Sequence, residues 1–177
     1  MTIRTLACPL PAGINSLSPA GYMFNIQKLP ELTYFCQQVS LPSINLGNTE
    51  FMNPLVRVPV PGDTLDFEPL RIEFVVDTGM LNYQAVYSWL TGIAYPEDNL
   101  QFTSFKAQQT FQTTDVSSMV SDATLVILDN NNNKSATVTF KDCYPLNIES
   151  LTFSSTIDDV QVMIGAATFA YTIYTFS

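Results

Sequence analysis

The chain has no histidine. That absence removes histidine-based nucleophile triads, histidine general bases and histidine metal sites. Cysteine is nearly as scarce: Cys8, Cys36 and Cys143 are scattered, with no CxxC pair. Three separated cysteines give neither a disulfide framework nor a thiolate zinc site. Buried free thiols, and folding in a reducing compartment, are the expectation. Charge is sparse as well, at 13% of residues, about half the usual share of roughly 25%. No apolar run reaches the ~18 residues of a transmembrane helix, so no membrane anchoring is expected. The opening residues, MTIRTLACPLPAG, lack a sustained apolar stretch before Pro9, and no signal peptide is expected. There is no GxGxxG, P-loop or GxSxG segment. No cofactor and no catalytic residue are therefore assigned.

What replaces the missing charge is Thr, Ser, Asn and Gln, beside an apolar share of 46%. A surface poor in charge suits burial against partners, although an ordinary Thr/Ser-rich β-protein looks the same. Net charge is −9, from 7 basic and 16 acidic residues. Between residues 61 and 100 only Arg71 opposes Asp63, Asp66, Glu68, Glu73, Asp77, Glu97 and Asp98. Such a chain repels phosphate, so nucleic-acid binding by counterion release is not expected. Enclosing nucleic acid without gripping it remains compatible. Length predicts one domain over 1–177.

Along the chain, strands and turns dominate. Residues 1–20 carry Pro9, Pro11, Gly13 and Pro19 and read as an irregular arm. Gly21–Lys28 alternates Tyr22, Phe24 and Ile26 on one face. Leu32–Ser40 follows across a turn holding Pro30, and the pair predicts a hairpin. Residues 43–62 form a long excursion whose Pro54, Pro59 and Pro61 exclude a central strand, since proline lacks a donor for the ladder. This segment is an edge or an extended arm. Pro69–Asp77 is a strand apolar on both faces near its end, as expected beneath a helix. The stretch 81–93 is the one good amphipathic helix, with Tyr83, Val86, Tyr87 and Leu90 on a stripe. Asp77 or Thr78 can cap it; Gly92 and Pro96 end it. Trp89 reads as a core anchor.

Residues 94–121 are polar and weakly patterned, a loop or weak strands. Asp122–Leu128 and Ser135–Asp142 flank Asp129-Asn130-Asn131-Asn132-Asn133-Lys134, a hairpin signal because Asn tolerates the left-handed region. The carboxylate spacing is wrong for a calcium loop, so no metal is assigned. Leu146–Ser154 changes phase, which a bulge near Ser150 reconciles. Val160–Phe176 reads as a long terminal strand with two uncharged faces, Ala167, Phe169, Tyr171 and Ile173 opposite Ala166, Thr168, Ala170 and Tyr174. The acidic pairs Asp63/Asp66, Glu97/Asp98 and Asp158/Asp159 lie in turn-like stretches, where solvated charge is the ordinary explanation. Tyr22, Phe24, Tyr34 and Phe35 form either a ligand platform or core.

Four stretches, taken together, resemble a known family: YFCQQVSLP (34–42), VRVPVPGDTLDFEPLRIEFVVD (56–77), LNYQAVYSWLTGI (81–93), and FKDCYPLNIESLTFS (140–154) followed by TFAYTIYTF (168–176). Their order and spacing resemble the tail tube proteins of contractile-tailed, T4-like bacteriophages and their baseplate tube-initiator relatives. The resemblance implies a mainly β fold, an antiparallel sandwich or barrel-like domain with one flanking helix. It implies a homo-hexameric ring with a shared inner barrel, stacked rings inside a sheath, and a lumen passing the genome. Partners implied are the chain itself, the tail sheath protein, and baseplate and tail-terminator proteins, with DNA only as non-sticking cargo. The place implied is the virion tail, after assembly in the host cytoplasm.

Under that resemblance, Asn45, Phe51, Met52, Leu55 and Arg57 on the arm, with Phe169 and Tyr171 on the terminal strand, are candidates for contacts between subunits or rings. Asp63, Asp66, Glu68 and Glu73 are candidates for the lumen. The 70–90 block resembles the initiator more than the tube protein, while the short length resembles the tube protein. Rivals of another class are a monomeric β-sandwich that binds a receptor or ligand, which requires a concave aromatic site, and an acid-using hydrolase.

Overall fold

The computed structural model describes residues 17–52, 55–94, 103, 119–155 and 162–177. The elements follow in chain order: β1 Tyr22–Ile26, α1 Pro30–Phe35, β2 Cys36–Ser40, β3 Ile44–Met52, β4 Arg57–Phe67, β5 Leu70–Val75, α2 Leu81–Ala94, β6 Ser121–Leu128, β7 Lys134–Ile148, β8 Ile164–Ala170 and β9 Ile173–Phe176. One antiparallel sheet runs β1-β6-β7-β8-β5-β2, with β9 also paired to β7; β3 and β4 form a separate two-stranded ribbon. The mainly β, sandwich or barrel-like class is what the structure shows.

Period-two burial builds the sheet. In β5, Leu70, Ile72 and Phe74 are fully buried while Arg71 points outward. Phe24 and Ile26 of β1, Leu125 of β6, Val138 and Phe140 of β7, and Ala167 and Phe169 of β8 join them in one core. Helix α2 closes this core through Val86 and Trp89. The Trp89 ring packs tilted against Phe169 at 6.0 Å, and its indole N–H donates to the Met119 carbonyl at 2.9 Å, so it is the anchor its position suggested. Tyr87, on the expected stripe, is exposed; Asn82, Val86, Trp89 and Gly92 define the buried line instead. The helix cap position falls on Met80, whose carbonyl accepts from Gln84 N–H, not on Asp77 or Thr78.

Further expectations are corrected. Gly21–Lys28 and Leu32–Ser40 do not form a hairpin: β1 pairs with β6 and β2 with β5, at opposite ends of the strand order. The intervening residues make α1, with Pro30 pre-set for a first helical turn and Leu29 and Leu32 buried on the same side. Burial of that i, i+3 pair overrides the strand-like look of Thr33, Tyr34 and Phe35. The bulge expected near Ser150 lies earlier, where the β7–β8 register shifts between Pro145 and Asn147.

The long terminal strand is broken. Lys141 opposes Ile173 and Tyr144 opposes Ala170, so β8 and β9 keep one register along β7 and part only at Tyr171–Thr172. Opposite that break, Asp142 sits at φ 56° and takes up an extra residue against β6, whose Ser121 and Ala123 face Cys143 and Phe140. Asp142 N–H is satisfied by Asp122 Oδ1 at 3.2 Å. A bulge in the left-handed region bends the strand and re-aims side chains. The β6–β7 hairpin itself matches the Asn-run reading, with Asn132 at φ 59°.

Candidate assembly surface

The ribbon β3–β4 is the arm anticipated at 43–62, and it runs on to Phe67. Its register pairs Ile44 with Phe67 and Leu46 with Leu65 at the base, and Thr49 with Val60 and Phe51 with Val58 towards the tip. Pro59 and Pro61 face Glu50 and Asn48, in a ribbon where each strand has one partner and the missing donors blunt the outer edge. Between base and tip, Gly62, Asp63 and Thr64 bulge opposite Gly47. The backbones meet so closely that a Cβ on Gly62 would lie 2.4 Å from the Gly47 carbonyl oxygen; only glycine fits.

The arm is apolar yet exposed. Phe51 is 66% exposed, Met52 77% and Leu55 90%, and Ile44, Leu46, Val56, Val58, Val60 and Leu65 are also exposed. Asn45 is exposed opposite Asp66. Arg57 reaches Glu50 at 3.5 Å across the solvated surface, a pair of small energetic value. Five of the expected contact residues thus lie together on one projection: Asn45, Phe51, Met52, Leu55 and Arg57. Phe169 does not join them. It is fully buried in the chain's own core, which withdraws it as a contact residue of the folded subunit.

Tyr171 has a different position from the one expected. With Tyr174 it packs on buried Phe140, at 5.2 and 5.5 Å, and both rings meet Phe67 at the arm's base, at 6.1 and 5.8 Å. Alternation puts residues three apart on opposite faces, and the expectation separated these two tyrosines accordingly. The break at Tyr171–Thr172 brings their rings within 5.9 Å. Burial first, then Tyr174, Cys143 and Glu68, pushes the Tyr171 phenol up to about 12, so it stays a hydrogen-bond donor. Neither Phe67 nor Tyr174 was among the expected contact residues. The polar–apolar alternation of Leu65, Asp66 and Phe67 was the available sign that the arm continues past Gly62.

The acidic candidates are dispersed. Asp63 and Asp66 lie exposed on β4, and Glu68 is exposed at its end. Glu73 is half-buried on β5 and faces Arg71 at 3.3 Å; the same guanidinium forks onto Glu149. Glu97, Asp98, Asp158, Asp159 and most of 94–121 lie outside the described residues, as do 1–16. A groove of about 510 Å³ between α1 and β1 is lined by Tyr22, Met23, Phe24, Pro30, Thr33, Tyr34 and Cys36. Phe24 belongs to the core and Tyr34 is 88% exposed, so the core reading holds for Phe24 and not for Tyr34. Among the described residues no helix is long and apolar enough to cross a membrane.

The family model for the phage tail tube protein matches residues 6–177. The chain belongs to this family. This tail tube family member is a structural protein of the virion tail. It is 25% identical over 146 residues to the tail tube terminator protein of Enterobacteria phage T4, covering 80% of this chain and 76% of the relative. Its fold is similar to a chain in the anti-feeding prophage tube-terminating cap, with TM-score 0.57, 12% identity, and 98% of each chain covered. It is also similar to a chain in the anti-feeding prophage baseplate, with TM-score 0.54, 12% identity, and 88% and 90% covered. At such identities the likeness to solved structures establishes the fold of the tail tube family member and nothing finer.

Proposed function

We propose that this tail tube family member is the ring-forming subunit of a contractile phage tail, closing into homo-hexamers that stack around a lumen for genome ejection. The exposed apolar ribbon carries the reading. An exposed apolar projection of this size marks an interaction surface, and a chain that builds rings supplies the partner as a copy of itself. The 6-fold symmetrised baseplate in which a similar fold occurs supports six-fold closure.

In this reading Asn45, Phe51, Met52, Leu55 and Arg57, with the N-terminal residues, contact the next subunit or ring. The sheath packs outside, and baseplate and terminator proteins occupy the ends. Asp63, Asp66 and Glu68 are the better lumen candidates, because Glu73 spends its charge on Arg71; like charge lets DNA slide without adhesion. The role is structural rather than enzymatic.

A second reading, a tube terminator, is favoured by the similarity to the T4 terminator. A tube-initiator ring is the remaining alternative. Negative-stain microscopy of the purified protein, alone and with baseplate or tail tubes, separates them. Hollow rings that stack without limit support the tube subunit. Single rings that cap preformed tubes support the terminator, and rings that only seed tubes from the baseplate support the initiator. A protein that stays monomeric under all these conditions overturns all three.

A further inference from the structure

The arm leaves the body at Ser43 and returns at Glu68, where Glu68 N–H donates to the Ser43 carbonyl at 3.1 Å. Two tyrosine hydroxyls hold the backbone on either side of that closure. Tyr174 Oη donates to the Pro42 carbonyl at 3.3 Å, just before the arm, and Tyr171 Oη donates to the Glu68 carbonyl at 2.8 Å, just after it. Between them the Phe67 ring packs on both tyrosines, and both pack on Phe140 in the core.

A two-stranded ribbon is marginal by itself and free to swing about its root. Here the root is gripped at entry and exit by side chains from the β8–β9 break, which lies opposite the Asp142 bulge of β7. We propose that Tyr171 and Tyr174 are positioning residues that set the angle of the assembly arm, with the Asp142 bulge placing both rings on the same side. That the arm is an assembly element rests on the function proposed above; that the tyrosines fix its angle does not. A ribbon held at one angle meets its partner already ordered, and less entropy is lost on docking.

The test reads the arm inside a single subunit, so a failure of ring assembly does not confuse it. Spin labels are placed through p-acetylphenylalanine at Glu50 on the arm and Asn131 on the β6–β7 turn. Labelled chains are diluted in unlabelled excess, and distance distributions are recorded by double electron–electron resonance. The double variant Tyr171→Phe with Tyr174→Phe keeps the rings and removes the two donors. The expected result is a distribution broadened about twofold, with each single variant in between and Tm within about 2 °C of the parent. An unchanged distribution overturns the proposal. So does broadening that appears only together with loss of the near-ultraviolet band of Trp89 above about 290 nm, which would mean a loosened core rather than a freed arm. If the variants hold the arm loosely and rings still form at the parent rate, the angle is fixed by the tyrosines but is not used in assembly.

Discussion

At the scale of single residues, one buried polar side chain stands where the backbone needs it. Asn82 is nearly fully buried at the start of α2. Its Nδ2 donates to the Val75 carbonyl at 2.6 Å, and its Oδ1 accepts from Tyr83 N–H at 2.8 Å and Asp77 N–H at 3.3 Å. One side chain thus ties the end of β5 to the first turn of the helix. Replacing it by alanine orphans these groups, and Asn82→Ala should cost about 2–3 kcal/mol in denaturant unfolding. Asn82→Asp keeps the acceptor but sets a buried carboxylate oxygen against the Val75 carbonyl, and should cost at least as much as alanine. Cys143 gives a pH signature. Burial raises its thiol from 9.0 to about 12, opposed by an interaction with the Ala123 backbone and aided by Asp122 and Asp142. A raised folded value means that the unfolded chain releases this proton first. The thiol's contribution is intact below pH 9 and is lost as pH climbs towards 12. Tyr171 and Cys36 act with the same sign, and Lys28, lowered to about 8 by burial, acts with the opposite one. A comparison with Cys143→Ala cancels Cys36 and Lys28, and most of Tyr171, whose shift comes first from burial. The stability advantage of the parent over the variant should shrink between pH 9 and 12, as read by chemical unfolding; a constant gap would show that the thiol is not desolvated.

At the scale of elements, legibility followed the kind of signal. Strand β5, helix α2 and the β6–β7 hairpin were legible because their apolar spacing and turn residues are local. The arm was legible through its prolines, which exclude pairing on two sides. Helix α1 was missed because one helical turn buries only Leu29 and Leu32, too few positions to distinguish a period of 3.6 from one of 2. The β1–β2 hairpin was expected because adjacent strands usually pair, and α1 carries the chain to the far edge instead. For the arm, deleting Asn45–Pro54 should leave a folded subunit with unchanged near-ultraviolet spectrum that no longer polymerises. The measurement is sedimentation velocity beside thermal unfolding. Assembly of the deleted chain at the parent's concentration would remove the arm from the interface.

At the scale of the whole molecule, a chain of charge −9 that displays an apolar projection has two opposed tendencies. Copies repel at long range, and their apolar surfaces attract on contact. Salt screens the first and leaves the second. Ring or tube formation should therefore strengthen as sodium chloride rises from low concentration to about 0.5 M, and more so in sulfate. Light scattering and sedimentation report it. Dissociation on adding salt would mean that ion pairs between subunits, rather than apolar burial, hold the assembly.

Composition and local pattern by themselves determined the β class, the place of α2, the Asn-rich turn, the proline-guarded arm and the family resemblance that the match over residues 6–177 established. These rest on short-range chemistry: period, turn preference and a missing donor. Only the tertiary structure decided which strands are neighbours, that Phe169 is core, and that Tyr171 and Tyr174 share a side at the arm's root. Pairing partners are far apart in the chain, and a single residue in the left-handed region at Asp142 reverses which face the following side chains occupy. Alternation read along the chain carries no information about such a reversal until the opposing strand is in place.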